Sequence, residues 1–307
     1  MADTKLPPPQ LVTDIPKLPS RACSAHKGTC GRIAIIAGSR GMSGAAILTA
    51  LGALRGGAGL VRVLTAESAQ PIVAAAEPCV MTVPLGEDGN GRIAADALTE
   101  VQPTLTWCDV TAIGPGLGEA PALGRFVADL AEAFNGPMVL DADALNNLSR
   151  EREPWWEQRT GRVTVVTPHP GEVQRMRDAL SLRRQRGESD DERLASAHEL
   201  ASVTGAIVVF KGHHTVVADG TRAYINQTGN PGMATGGMGD VLTGVIAALL
   251  GQHMPAFDAA RLAVYAHGLA ADRLAESIAP IGFLARDVAD AIPAALFESS
   301  KVPVGFR

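Results

Sequence analysis

Residues 32–65, RIAIIAGSRGMSGAAILTALGALRGGAGLVRVLT, settle the architecture. A short apolar run, RIAIIA, passes through glycine into the Ala/Leu-rich segment SGAAILTALGALRGG and emerges as a second apolar run, LVRVLT. That alternation reads as strand, helix, strand. The rhythm continues with a helix through Ala76 and then with CVMTV (79–83), DVTAIG (109–114), PMVLDA (137–142), VTVVT (163–167) and AIVVF (206–210), each short and near-continuously apolar. Strands apolar on both faces belong to a parallel sheet covered by helices on each side. TVVAD (215–219) and RAYIN (222–226) flank Gly220 and Thr221 and are expected to form an antiparallel hairpin on the edge of the sheet. Three helices are expected after it, over about 239–251, 257–275 and 285–297.

A length of 307 residues allows two domains or one large one. No Gly-, Ser- or Pro-rich linker divides the body, so residues 28–307 are expected to form a single domain. Residues 1–27 carry Pro7, Pro8, Pro9, Pro16 and Pro19, which fix φ and remove backbone donors, and read as an extended arm. The net charge of −5 lacks the positive field of a nucleic-acid binder. Hydrophobic content of 46% with 33 glycines and only 4% aromatic residues points to an interior packed by Ala, Val and Leu. No run of about 18 apolar residues and no export signal is present, so a soluble protein of the cytoplasm is expected, with no membrane partner. Cys23, Cys30, Cys79 and Cys108 lack the C-x-x-C spacing of a zinc or redox site and read as free thiols. The arginine-rich stretch from Arg175 to Arg193 is interleaved with Asp178, Glu188, Asp190, Asp191 and Glu192, which marks a solvated helical face.

In an open parallel sheet, ligands bind beyond the carboxyl ends of the strands. AGSRGMSGAA (37–46) turns there on Gly38, Gly41 and Gly44, with neither the G-x-G-x-x-G nor the Walker spacing. IGPGLG (113–118) sets Gly114, Gly116 and Gly118 around Pro115 and bares backbone amides that suit a pyrophosphate or ribose. In LDADALNNL (140–148), Asp141 and Asp143 read equally as helix caps or as carboxylates orienting a magnesium-bound water. TPHPGE (167–172) holds His169 between Pro168 and Pro170 at a strand's end, which favours contact with a ligand. In KGHHT (211–215), Lys211 offers a point charge to phosphate, and Thr215 with the local amides can hold a nucleotide. His213 and His214, as neighbours on a strand, are expected to face opposite ways, so no metal site is expected.

The most informative segment is NQTGNPGMATGGMGDVLTGVIAALL (226–250). Gly229, Gly232, Gly236, Gly237 and Gly239 lead into a strongly apolar helix that Asp240 opens. Free amides at Gly237, Met238 and Gly239, at the positive end of the helix dipole, make an anion hole for a transferring phosphoryl group. Asp240 stands beside it to take a proton from an attacking hydroxyl.

With these motifs in order, from HKGTCGRIAIIAGS (26–39) through IGPGLG, LDADAL, TPHPGE, KGHHT and GGMGD to YAHGLAADRLA (265–275), the chain resembles the ADP-dependent NAD(P)H-hydrate dehydratases of the ribokinase-like superfamily. The resemblance implies a three-layer α/β/α ribokinase-like fold. It implies that the hydrated dinucleotide lies against Ala46, Gly116, His169 and Asp240. It implies that the adenine nucleotide lies on Lys211, Gly212, His213, His214, Thr215 and Gly239, with Asp240 as the base. Implied too are the ADP co-substrate with AMP as product, Mg2+, a homotetramer, and an epimerase on a separate protein, since the chain leaves no room for a fused one. Met238 departs from the small residue usual in the family; the site is weakened if that side chain must bond phosphate, and nothing is lost if only its amide matters, which is the favoured reading. A kinase of a small alcohol, of the hydroxyethylthiazole or hydroxymethylpyrimidine type, is the alternative, and a nucleotide-sensing binding protein a third reading.

Overall fold

The computed structural model describes residues 6–151, 153–183 and 189–300. Residues 1–5 of the expected arm, residues 184–188 of the arginine-rich stretch, and residues 152 and 301–307 of the expected domain lie outside them. Ten strands form one sheet: β1 (Gln10–Leu11), β2 (Arg32–Ile36), β3 (Leu60–Ala66), β4 (Met81–Leu85), β5 (Val110–Ile113), β6 (Met138–Leu140), β7 (Thr164–Val166), β8 (Ile207–Phe210), β9 (Val216–Ala218) and β10 (Arg222–Ile225). Their order is β1-β10-β9-β8-β7-β6-β5-β2-β3-β4. From β4 across to β8 every pairing is parallel, and only β9 runs against its neighbours.

Side chains that alternate along each strand feed two apolar layers, one per face. Ile33, Ile35, Val61, Val63, Val110, Ala112 and Val139 pack with helices α1 (Ser43–Arg55), α9 (Met238–Gly251), α10 (Ala256–Ser277) and α11 (Ala285–Ser300). Ala34, Ile36, Leu64, Ile113, Met138, Leu140 and Val166 pack on the other side with α3 (Leu98–Trp107), α4 (Pro121–Ala133), α5 (Asp143–Leu148), α7 (Pro170–Ala179) and α8 (Asp190–Thr204). The helix expected to run through Ala76 is α2 (Gln70–Ala76), and a short α6 spans Trp155–Gln158. This is the expected three-layer α/β/α arrangement. Among the described residues no helix is long and apolar enough to cross a membrane.

Helix α9 is buried almost all round, from Val241 to Gly251, as a helix must be when it is apolar on every face. It reaches the sheet because α1 lies against it at backbone contact distance. A methyl group on Gly52 would collide with the carbonyl of Val241, and one on Gly244 with the carbonyl of Thr49. Burial of this kind pins the N-terminus of α9 to the carboxyl edge of the sheet.

The hairpin of β9 and β10 does not form the edge. The arm supplies β1, which pairs parallel to β10 through Gln10 N to Thr221 O (2.8 Å) and Val12 N to Ala223 O (2.9 Å), and so covers it. The proline-rich segment satisfies its few remaining donors by borrowing a sheet edge that would otherwise be open.

Candidate active site

Five turns expected to carry chemistry meet at the carboxyl ends of β2, β5, β6, β7 and β8. After β2, Gly38 adopts φ +81 and donates its N–H to Pro115 O at 2.8 Å, while Ser39 Oγ donates to Gly116 O at 2.8 Å. Gly116 adopts φ +65, and a Cβ there would stand 2.8 Å from Met42 O and 2.9 Å from Ala45 Cβ, so only glycine lets the two turns close on each other. Ala46 is wholly buried, its methyl directly beneath Gly38. Gly118 N donates to Asp143 Oδ2 at 2.8 Å, which ties the glycine turn to α5. Burial raises the Asp143 carboxyl above its ordinary value against that bond.

Asp141 caps no helix with its side chain. It is 1% exposed, and its oxygens accept from Lys211 Nζ at 2.5 Å and from Thr243 Oγ1 at 2.8 Å. One carboxylate thereby joins the ends of β6 and β8 to the first turns of α9. Glu172 lies close by, its Oε2 3.9 Å from Lys211 Nζ. Burial works to lower the pKa of Lys211, but Asp141 and Glu172, with Asp240 beyond, overcome it and the pKa rises, so the ammonium stays charged. Burial, aided by Asp141 and opposed by Lys211, pushes the Glu172 carboxyl up to about 7.

His169 is the N-cap of α7. Its Nδ1 accepts from Gly171 N (3.0 Å) and Glu172 N (3.4 Å), and its own N–H donates to Glu172 Oε2 (2.7 Å), a reciprocal capping box. Nε2 therefore carries the ring proton, 3.2 Å from Glu172 Oε1. Burial, with Lys211 and Arg175 adding to it, lowers the pKa, so the imidazole is neutral at pH 7. The prolines around it thus serve a cap, while half of the side chain remains exposed.

Helix α9 starts at Gly237, at φ +90, without a side-chain cap. Met238 is 6% exposed and packs in the apolar layer, so it offers the site its backbone and nothing else. A Cβ on Gly239 would sit 3.3 Å from Lys211 Nζ, which places the helix N-terminus against that ammonium. Asp240 follows in the first turn, and no described residue donates a hydrogen bond to its carboxylate. Burial, then Asp141, push its pKa up to about 7, with Lys211 opposing and Asp143 adding to the rise.

The loop after β8 behaves differently from expectation. The strand ends at Phe210, Gly212 takes φ +142 and His214 φ +51, so residues 213 and 214 lie in a turn and not on a strand. Their rings fall on the same side, with centroids 3.8 Å apart, and His214 Nδ1 is 2.8 Å from Asp190 Oδ2. Alternation of facing applies to pleated backbone, and left-handed residues abolish it. These two imidazoles therefore join α8, whereas Lys211 joins Asp141. Thr215 Oγ1 is spent within the loop, donating to Gly212 O (2.9 Å) and accepting from Gly212 N (3.3 Å).

Two residues of the cluster escaped the sequence reading. Thr243 lies three positions after Asp240 on the same helix face, so helical spacing could have found it. His267 on α10 left no such signal; it is buried against the Met238 backbone, and burial takes its pKa down to about 4, against the effect of that contact.

A family model described as NAD(P)H-hydrate dehydratase matches residues 33–294. The chain is 40% identical over 279 residues to the bifunctional NAD(P)H-hydrate repair enzyme of Moorella thermoacetica, covering 90% of this chain and 51% of that protein. It is 38% identical to the ADP-dependent (S)-NAD(P)H-hydrate dehydratase of Neisseria meningitidis, covering 89% and 87%. The chain therefore spans about half the length of the bifunctional relative and most of the other. Among solved structures, the ADP/ATP-dependent NAD(P)H-hydrate dehydratase of Bacillus subtilis, co-crystallised with ATP and Mg2+, superimposes with a TM-score of 0.75 at 30% identity, covering 92% of this chain and 95% of that one.

Proposed function

The chain belongs to the NAD(P)H-hydrate dehydratase family, and from that premise we propose that it restores NADH and NADPH from their hydrated S-forms at the expense of ADP, releasing AMP and phosphate. The observation that carries the proposal is Asp240: a half-buried carboxylate to which no described residue donates a hydrogen bond, its pKa raised to about 7 by burial and by Asp141. Such a group accepts a proton at physiological pH, which a solvated aspartate near 4 does poorly.

The hydrated ring carries a hydroxyl at C6, and hydroxide is a poor leaving group. Asp240 takes the hydroxyl proton as the oxygen attacks the β-phosphorus of ADP; the bond from that phosphorus to the bridging oxygen breaks, and AMP departs with the electron pair. The uncapped amides of Met238, Gly239 and Asp240 stabilise the equatorial phosphoryl oxygens, with the Lys211 ammonium beside Gly239. Phosphate then leaves C6 with its bonding electrons, a proton is lost from the adjacent ring carbon, and the double bond of the dihydronicotinamide returns. In this reading the nicotinamide half lies along Gly116 and the exposed edge of His169, and the adenine nucleotide follows the loop from Lys211 to Thr215. Ala46, being buried, shapes the turn from behind.

Mg2+ fits the donor set in its usual partial mode. Asp141, Glu172 and Asp240 do not draw together into an all-protein cage, since among the described residues only Asp190, His213 and His214 gather three donor atoms within 4.8 Å. Asp141 would share the ion with nucleotide phosphates, where it would neutralise phosphate charge. An activity that equilibrates the two epimers must supply the S-form.

The test is to incubate purified protein with hydrated NADH, ADP and Mg2+ and to follow the return of reduced-nicotinamide absorbance. Recovery that requires ADP, with one AMP and one phosphate per NADH, is the expected outcome. A phosphorylated alcohol without recovery would mark the small-alcohol kinase, and nucleotide binding with neither would mark a sensor.

A further inference from the structure

Asp190, His213 and His214 are the one set of three His, Cys, Asp or Glu groups among the described residues whose donor atoms gather closely enough for a metal ion, all within 4.8 Å of one another. The chain builds this set on two elements. Asp190 opens α8, and the left-handed His214 turns both imidazoles of the loop after β8 toward it, the two rings 3.8 Å apart and tilted by 36°. A left-handed histidine costs on the order of 1 kcal/mol, and here its ring gains a 2.8 Å contact to the Asp190 carboxylate. The nearest cation on α8, Arg193, points elsewhere. Its Nη2 donates to the carbonyls of Phe210 and Lys211, at 3.0 Å each, and its guanidinium stacks on the Phe210 ring.

We propose that His213, His214 and Asp190 bind one divalent transition-metal ion of the imidazole-preferring class, Zn2+, Ni2+ or Cu2+. Two imidazole nitrogens and one carboxylate suit these ions and not Mg2+ or Ca2+, which take oxygen donors. Metal–ligand bonds of about 2.0–2.2 Å place tetrahedral donors roughly 3.3 Å apart. Rotation of these partly exposed side chains brings a 4.8 Å spread to that value. Three protein ligands leave a fourth position to water, so the site is an exchangeable one. The bound ion joins the 211–215 loop to the start of α8, whether or not that loop also receives a nucleotide.

The test uses the full chain with Cys23 and Cys79 replaced by serine, because both thiols are exposed and thiolates compete for the same ions. Calorimetric titration of the metal-free protein with ZnCl2, and separately with NiCl2, is expected to show one equivalent bound. His213→Ala and His214→Ala are each expected to weaken binding at least tenfold, and Asp190→Asn several-fold, with unchanged circular dichroism. Substoichiometric Cu2+ should broaden the imidazole proton signals of His213 and His214 before those of His26, His169 and His253. Absence of saturable binding, or either alanine variant binding like its parent, or broadening that starts at the other histidines, would overturn the assignment.

Discussion

Asp240 is held away from its solution behaviour by its surroundings, and two consequences follow from the sign of that shift. As the base it must be ionised to act, so kcat/KM should climb through pH about 7 on its acid side. Glu172 rises to the same region and shares Lys211, so the limb belongs to the coupled group and not to one carboxyl. Asp240→Asn keeps the shape and removes the acceptor; kcat should fall roughly 10²–10⁴-fold while ADP affinity, read by calorimetry, changes little. The second consequence concerns stability. The folded chain binds this proton more tightly than the unfolded chain, so stability is lost as pH rises from about 4 to about 7. The same substitution should then leave Tm nearly unchanged near pH 4 and raise it by roughly 2–4 °C at pH 8, a difference that a pair of thermal melts would read. A variant that is inactive yet no more stable at high pH would show that burial does not strain this carboxylate.

Helix α9 brings Asp240 and Thr243 to the site, and its position depends on the glycine seam it shares with α1. Gly52→Ala would thrust a methyl into the Val241 carbonyl, and the helices must part to accept it. The expected cost is about 1–3 kcal/mol, with a fall in kcat as well, because the same displacement shifts the N-terminus of α9 away from Lys211. Gly44→Ala, at a position of α1 with nothing within 4 Å, should leave Tm unchanged or slightly raised. Chemical denaturation of the two variants, alongside their kcat values, checks the pair. Elements of this kind were readable from the chain itself. Every short apolar run between 32 and 226 that reads as a strand became one, and the three C-terminal helices lie where periodicity puts them, because burial on two faces leaves a plain hydrophobic signature. What escaped was tertiary. The bond between Asp141 and Lys211 crosses over β7 to link strands that are not neighbours, and no local pattern encodes it. His213 and His214 were misjudged because a strand was assumed to continue past Phe210, where Gly212 and a left-handed histidine turn the chain. Strand β1 was missed because two residues within a proline-rich arm carry no periodicity; the open side of β10 recruits them.

The sheet has two working edges, and the arm and the candidate site occupy opposite ones. Turns at the carboxyl ends of β2 and β5 to β8 build the site, whereas the arm follows the amino ends. Its β1 joins the first residues of β10, Lys27 abuts Gly59 just before β3, and Arg21 reaches Gly57 past the end of α1. Along the way Val12, Ile15 and Leu18 cover the apolar layer. The Pro7 carbonyl lies 2.9 Å from His198 Nε2, and the Asp14 carbonyl accepts from Arg261 Nη1 at 2.8 Å. Arg261 is only 5% exposed, and without the arm its guanidinium retains Asp258 as its described ionic partner. Deleting residues 1–20 should therefore cost several kcal/mol, since it uncovers apolar surface and takes acceptors from a buried cation. Tm should fall by roughly 4 °C or more. Catalytic efficiency at 25 °C should stay within about threefold of the full chain, because no described residue of the arm touches the cluster of Asp141, Lys211 and Asp240. Thermal melts and initial rates on the truncated protein separate these effects, and a large loss of rate with an unchanged Tm would mean that the arm reaches the chemistry after all.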